Sequence, residues 1–273
     1  MYKLLIASIL FLFTSCEITN ETSLPIPYGG DKFVLQGFIS ENEGAWAVIT
    51  RTTDPNDPTD DSKVNNIKVL LFENNKFISE LKETKSSYYS TDVTIKSNTK
   101  YHITVEGMNL PKLTTPQVEV MPFVKIQNAK LVKQDSFVAV LNFDFKDEIG
   151  INAYQVNVEQ YKDKVIFPNE NPFDEYFNAF RFFDDKIFEG KNKSHAQSVS
   201  LYRTNDKKNI FADELKIKLY SVSPELKYFL ESVYNAEGTA KSPYYDPLPV
   251  YNNVEGGFGI FASYSVDTII LYP

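Results

Sequence analysis

Few residues in this 273-residue chain could do chemistry by themselves, since it holds a single cysteine, Cys16, and two histidines, His102 and His195. Cys16 has the most informative surroundings. Met1-Tyr2-Lys3 gives a short positive start, Leu4 to Phe13 is apolar apart from Ser8, and Thr14-Ser15 places small residues before the sulfur. That pattern is an export signal ending at a lipid-acceptor cysteine. The apolar run is about half the roughly 20 residues a membrane-spanning helix needs, so residues 1–15 are expected to be removed. Each acyl CH₂ that enters a bilayer contributes about 0.8 kcal/mol, and more than one chain on Cys16 makes attachment effectively permanent. A sulfur committed in this way leaves no thiol for a disulfide, a metal or a nucleophile.

The other chemistry-bearing groups are less specific. Asp54-Pro55-Asn56-Asp57-Pro58-Thr59-Asp60-Asp61 crowds four carboxylates into one loop. It lacks the alternating oxygen ligands, turn glycine and distal glutamate of a calcium loop, so a solvated hairpin loop is expected. His102 and His195 have no second His or Cys at ligand spacing, so no metal is implied. There is no G-x-S-x-G elbow, phosphate-binding glycine loop or H-E-x-x-H motif, and no cofactor is implied. Paired acids for glycoside hydrolysis leave no local signature, which places a hydrolase last among the readings.

Phe173, Tyr176, Phe177, Phe180, Phe182, Phe183 and Phe188 crowd one irregular stretch. The first five are candidates for a partner or ligand surface, against the alternative that they fill a gap between a helix and a sheet. A sugar platform would more often use Trp, and the one Trp is Trp46, far away in sequence. Gly256-Gly257-Phe258-Gly259-Ile260-Phe261 puts three glycines in four positions before a strand. Such spacing fits a structural signature in which backbone approaches backbone, in preference to a ligand loop.

These groups need elements to hold them. Residues 16–31 are polar, carry Pro25 and Pro27 and end in Gly29-Gly30, so they read as a lipidated tether reaching about 45 Å at about 3.1 Å per residue. From Phe33 to Val105, short β-branched and aromatic runs alternate with turn residues, and Asn74-Asn75 marks a hairpin. Residues 32–122 are therefore expected to form a β-sandwich domain of the immunoglobulin or transthyretin type. Residues 123–273 are expected to form a second β-rich, α+β domain. In it Phe137–Phe145, Ala153–Glu159 and Leu215–Tyr220 alternate as half-buried strands. One helix is expected at 223–237, capped by Ser223, opened by Pro224 and stopped by Gly238, with Leu226, Phe229, Leu230 and Val233 on one stripe.

Composition narrows the partners. With 28 basic against 36 acidic residues the chain is net −8, and one unit more acidic once Lys3 leaves with the signal. Phosphates repel such a surface, so nucleic acid is not expected as a partner.

Asn253-Val254-Glu255-Gly256-Gly257-Phe258-Gly259-Ile260-Phe261-Ala262, preceded by Pro243 and Asp246-Pro247, resembles the closing signature of a Bacteroidota lipoprotein family, domain of unknown function 4249. Val34-Leu35-Gln36-Gly37 and Val48-Ile49-Thr50-Arg51-Thr52 resemble its opening strands. Phe143 with Asp147 and Asn152-Ala153-Tyr154, then Phe183-Asp184-Asp185 with Phe188-Glu189-Gly190, and Ser221-Val222-Ser223-Pro224-Glu225 with Tyr228-Phe229-Leu230 resemble its later blocks. The resemblance implies an outer-membrane lipoprotein, often encoded near TonB-dependent receptors, without established catalytic residues. The expected function is a non-enzymatic accessory or binding subunit, lipid-anchored in the outer membrane on either its periplasmic or its outer face. Its expected partner is a TonB-dependent receptor or another barrel complex. The alternative is a surface protein that binds a glycan or peptide.

Overall fold

A computed structural model describes residues 26–57, 59–150, 152–167, 182–184, 188–205, 208–240, 246 and 248–273. The first strands in chain order are β1 (Phe33–Ser40), β2 (Gly44–Arg51), β3 (Ile67–Glu73), β4 (Lys76–Lys85), β5 (Tyr88–Thr91), β6 (Lys100–Gly107), β7 (Leu113–Thr114) and β8 (Val118–Glu119). There follow β9 (Gln127–Lys133), β10 (Val138–Lys146), β11 (Ala153–Lys162), β12 (Val165–Ile166), β13 (Phe182–Asp184), β14 (Asn192–Ser200), β15 (Tyr202–Asn205), β16 (Lys208–Phe211) and β17 (Glu214–Val222). Helix α1 (Pro224–Ala240) precedes the last strand, β18 (Gly257–Leu271). The fold is mainly β with one helix among the described residues.

Most strands are ordered β12-β11-β17-β18-β1-β2-β5-β4-β3-β6-β7 in one curled sheet, and β14-β10-β9 form a second, smaller one. The large sheet folds back until Thr114 of β7 bridges Glu255, two residues before β18. The two arms thereby enclose a first core that includes Phe33, Leu35, Ile49, Leu71, Tyr101 and Ile103. Asn74 and Asn75 turn β3 into β4 with φ of 48° and 67°, the left-handed pair that a two-residue hairpin demands.

A second core includes Leu141, Phe143 and Phe145 of β10 together with Ile217 and Leu219 of β17. The alternation of β10 explains its share, since Ala139, Leu141, Phe143 and Phe145 are buried while the residues between them are half exposed. A third core lies under α1 and includes Phe38, Tyr220, Val222, Leu226 and Tyr264. Fully burying side chains of this size contributes about 1.5–3 kcal/mol each.

The halves of the chain on either side of residue 122 share a sheet. β18 runs parallel to β1, from Phe33↔Gly257 to Ile39↔Ser263, and antiparallel to β17, from Val222↔Tyr264 to Leu215↔Leu271. Its side chains enter all three cores: Phe261 the first, Ile260 and Tyr264 the third, with Ile269 and Leu271 against the second. The Ser263 and Ser265 hydroxyls donate to the carbonyls of Glu119 and Pro122, at 2.6 and 2.7 Å, pinning the connection between the halves.

Helix α1 starts where its sequence says. The Ser223 hydroxyl accepts from the Leu226 N–H at 3.5 Å, and its carbonyl accepts from Lys227 at 3.1 Å. Its end differs from the expected 237, because the helix passes through Gly238 to Ala240. Gly238 has ordinary helical backbone, and Thr239 takes over the terminal carbonyls, donating to Asn235 at 3.0 Å and lying 3.1 Å from the Ala236 oxygen. The return chain is then held by the N–H groups of Leu248 and Tyr251, which donate to Thr239 and Ser232.

Candidate functional site

The glycine string turns out to be a backbone junction. Gly256 has a φ of 77° and Gly259 a φ of 126°, conformations that L side chains rarely adopt. A Cβ would overlap the carbonyl oxygen of Lys112 at Gly256 and that of Leu35 at Gly259. Gly257 pairs with Phe33 at the start of the parallel ladder. Two asparagines lock this junction from the side. Asn253 donates from Nδ2 to the Phe261 carbonyl at 2.8 Å and accepts the Phe261 N–H at 2.9 Å, imitating a strand partner. Asn252 accepts the Gly259 N–H at 2.6 Å and donates to the Val254 carbonyl at 3.0 Å. Phe261 is fully buried, whereas Phe258 faces out with the Lys32 ammonium 5.2 Å from its ring centre.

The later blocks of the resemblance also meet in space. Asp147 is 1% exposed, and its carboxylate accepts the Tyr154 hydroxyl and, at 2.6 Å, the Gly190 N–H. Around it Tyr154 lies 4.8 Å from Phe145 and 5.7 Å from Phe183, with Phe188 edge-on to Phe145 at 6.0 Å. Buried carboxylates are tolerated where hydrogen bonds satisfy them, and here they fasten the loop after β10 to the turn before β14.

Each acidic or imidazole candidate has a structural use. Arg51 reaches Asp31 at 2.9 Å and grips Asp60, whose carboxyl it holds below its usual range. Asp60 also accepts the Asp54 N–H at 2.7 Å, so the acidic loop closes on a guanidinium. The loop also holds the segment that precedes β1, since the Asn56 side chain exchanges two hydrogen bonds with the backbone of Ile26, at 2.8 and 2.9 Å. His102 stacks on Phe72 at 4.6 Å and His195 on Phe183 at 5.2 Å, and burial lowers the pKa of both. Trp46 donates to the Tyr264 hydroxyl at 3.1 Å, which itself bonds Glu43; burial drives that hydroxyl's pKa strongly upward.

Among the described residues, two surfaces group exposed side chains that could meet a ligand or partner. On the outer face of the β14-β10-β9 sheet a shallow groove of about 280 Å³ is bordered by Asn128, Lys130, Asn142, Asp144 and Ser194. Ser194 and Asn128 donate to the two Asp144 oxygens at 2.6 and 2.9 Å and, with help from Lys130, hold that carboxyl ionised below its usual range. One carboxylate, one ammonium, two amides and a hydroxyl there offer interspersed donors and acceptors. The second surface is an aromatic triad: Phe137 lies 5.1 Å from Tyr202 and 5.6 Å from Phe211, and Phe137 and Phe211 are each 42% exposed.

Among the sequence candidates, Cys16, Phe173, Tyr176, Phe177 and Phe180 lie outside the described residues. Phe182 is half-buried in β13 opposite Gln155 and packs against the third core. Neither open surface carries a motif. The outward register of Asn142 and Asp144 follows from the alternation of β10, but their meeting with Asn128 and Ser194 depends on strand pairing.

Residues 19–270 match the model of the family described as domain of unknown function DUF4249. A comparison with curated proteins found no match.

Proposed function

The chain belongs to the DUF4249 family, and from that premise we propose that it is a Bacteroidota outer-membrane lipoprotein. In this reading an acylated Cys16 holds it in the membrane. It serves as a non-enzymatic accessory subunit that docks a TonB-dependent receptor or another barrel complex with the end farthest from its anchor. The observation that carries the reading is the course of β18. Its first residue pairs with Phe33, where the tether enters, and its last pairs with Leu215, just beyond the hairpin that ends in Phe211. At about 3.3 Å per residue, a strand of this length runs for about 45 Å, with the tether at its first residue and the hairpin that carries Phe211 near its last. Exposed aromatics at a distal tip suit a protein contact.

Purification of the native protein through a C-terminal tag, in mild detergent with crosslinking, tests the reading. It is expected to bring down an outer-membrane barrel, with recovery reduced by Phe137→Ser combined with Phe211→Ser. Recovery of the lipoprotein alone contradicts it. The polar groove favours a second reading, capture of a glycan or peptide. In that case Asp144→Ala abolishes ligand retention while barrel recovery is unchanged.

A further inference from the structure

The nine residues of β14 ladder with β10 from Val138↔Ser200 to Lys146↔Asn192 without a register shift. Among the described residues no strand lies on the other side of β14. The orientation of its backbone follows from one bond. Leu201 N–H donates to the Phe137 carbonyl at 2.8 Å, so the pairs 139/199, 141/197, 143/195 and 145/193 are the ones that exchange hydrogen bonds with β10. The backbone groups of Asn192, Ser194, Ala196, Ser198 and Ser200 therefore point to the free edge. Gln160 Nε2 meets the last of them there, donating to the Ser200 carbonyl at 3.0 Å. The same five side chains are small and exposed.

The opposite edge is guarded. Facing β9 the ladder has an irregularity between Asn142 and Asp144, Asn128 has a φ of 53°, and Lys130 and Lys133 are exposed. Bulges and lysines are the usual means of blunting an edge strand. From Ser194 to Ser200, β14 has no bulge, proline or charge.

We propose that this edge pairs antiparallel with β14 of a second copy about Ala196, joining two three-stranded sheets into one of six. The strand is self-complementary in that register. Ala196 faces its own counterpart and Ser194 faces Ser198, so small side chains oppose small ones on the outer face. On the inner face His195 falls opposite Gln197 and Lys193 opposite Val199, so no like charges meet. The central Ala196 pair and the two flanking pairs of Ser194 with Ser198 each exchange two backbone hydrogen bonds, the pairing ending before Ser200, whose carbonyl Gln160 already holds, and the shared symmetry axis makes the interface isologous.

Cysteine trapping in the full chain, carried out in its own membranes, tests the proposal. Opposed Cα atoms in a hydrogen-bonded pair lie about 5.5 Å apart, within disulfide range. Ala196→Cys is expected to move to a dimer band on mild oxidation. Wild type, which controls for Cys16, and Ser198→Cys alone are expected to stay largely monomeric, and combining Ser194→Cys with Ser198→Cys restores the dimer. Ala196→Cys that stays monomeric overturns the proposal, as does crosslinking no greater than that of Ser198→Cys. So does a crosslink to a different protein, which would assign the edge to a foreign strand.

Discussion

Asn252 and Asn253 act as a lateral clamp on the start of β18, and Gly259 lets that strand lie against Leu35 without a side chain between them. Gly259→Ala is expected to destabilise the protein by more than about 3 kcal/mol, because it combines an unfavourable φ with backbone overlap. Gly29→Ala, where a Cβ meets nothing within 4 Å, serves as the neutral control; equal melting temperatures for the two would contradict this account. The spacing of the glycines showed that backbone must approach backbone. Which carbonyls they approach depends on Lys112 and Leu35, more than a hundred residues away in sequence. Acid sensitivity belongs to this scale too. His102 and His195 have pKa values lowered by burial, so the unfolded chain takes up protons first as the pH falls. Their contribution is complete above about pH 6.5 and is lost as pH drops from there towards the lower folded values. Melting temperature is thus expected to fall between pH 6.5 and 5, and less steeply in a variant carrying His102→Gln and His195→Gln. An unchanged slope would exclude the histidines.

Among the elements, strands were the most legible, because alternation such as Ala139, Leu141, Phe143 and Phe145 directly reports a buried face. Helix α1 was equally clear at its start, where Ser223, Pro224 and Glu225 act locally. Its end lies beyond the expected 237, since Gly238 keeps helical backbone, and the contacts that Thr239 and Ser232 make with Leu248 and Tyr251 come from a segment that returns to the helix, which no periodicity reveals. Gly238 is accordingly an ordinary interior position with open space around its Cα. Gly238→Ala is expected to stabilise the protein by about 0.5–1 kcal/mol, raising the melting temperature by about 1–4 °C. A lower melting temperature would indicate that Gly238 ends the helix after all. The groove illustrates the general difficulty: Asn128, Asp144 and Ser194 come from three strands, and only their register brings them within hydrogen-bond reach.

Among the described residues β18 links the two halves of the chain, its first residue paired with Phe33 and its last with Leu215, and in the proposed reading these ends mark the tether side and the aromatic side. Among the described residues no helix is long and apolar enough to cross a membrane, and attachment in this account rests on Cys16 alone. An anchor at one end and open surfaces elsewhere give a lipoprotein reach as well as orientation, which is what docking against a membrane-embedded partner requires. The most direct measurement is fractionation of Cys16→Ala after a carbonate wash, alongside the wild type. The account predicts a folded protein, with unchanged β-rich circular dichroism, released from the membrane fraction. A Cys16→Ala protein that stays in the washed membranes would contradict it.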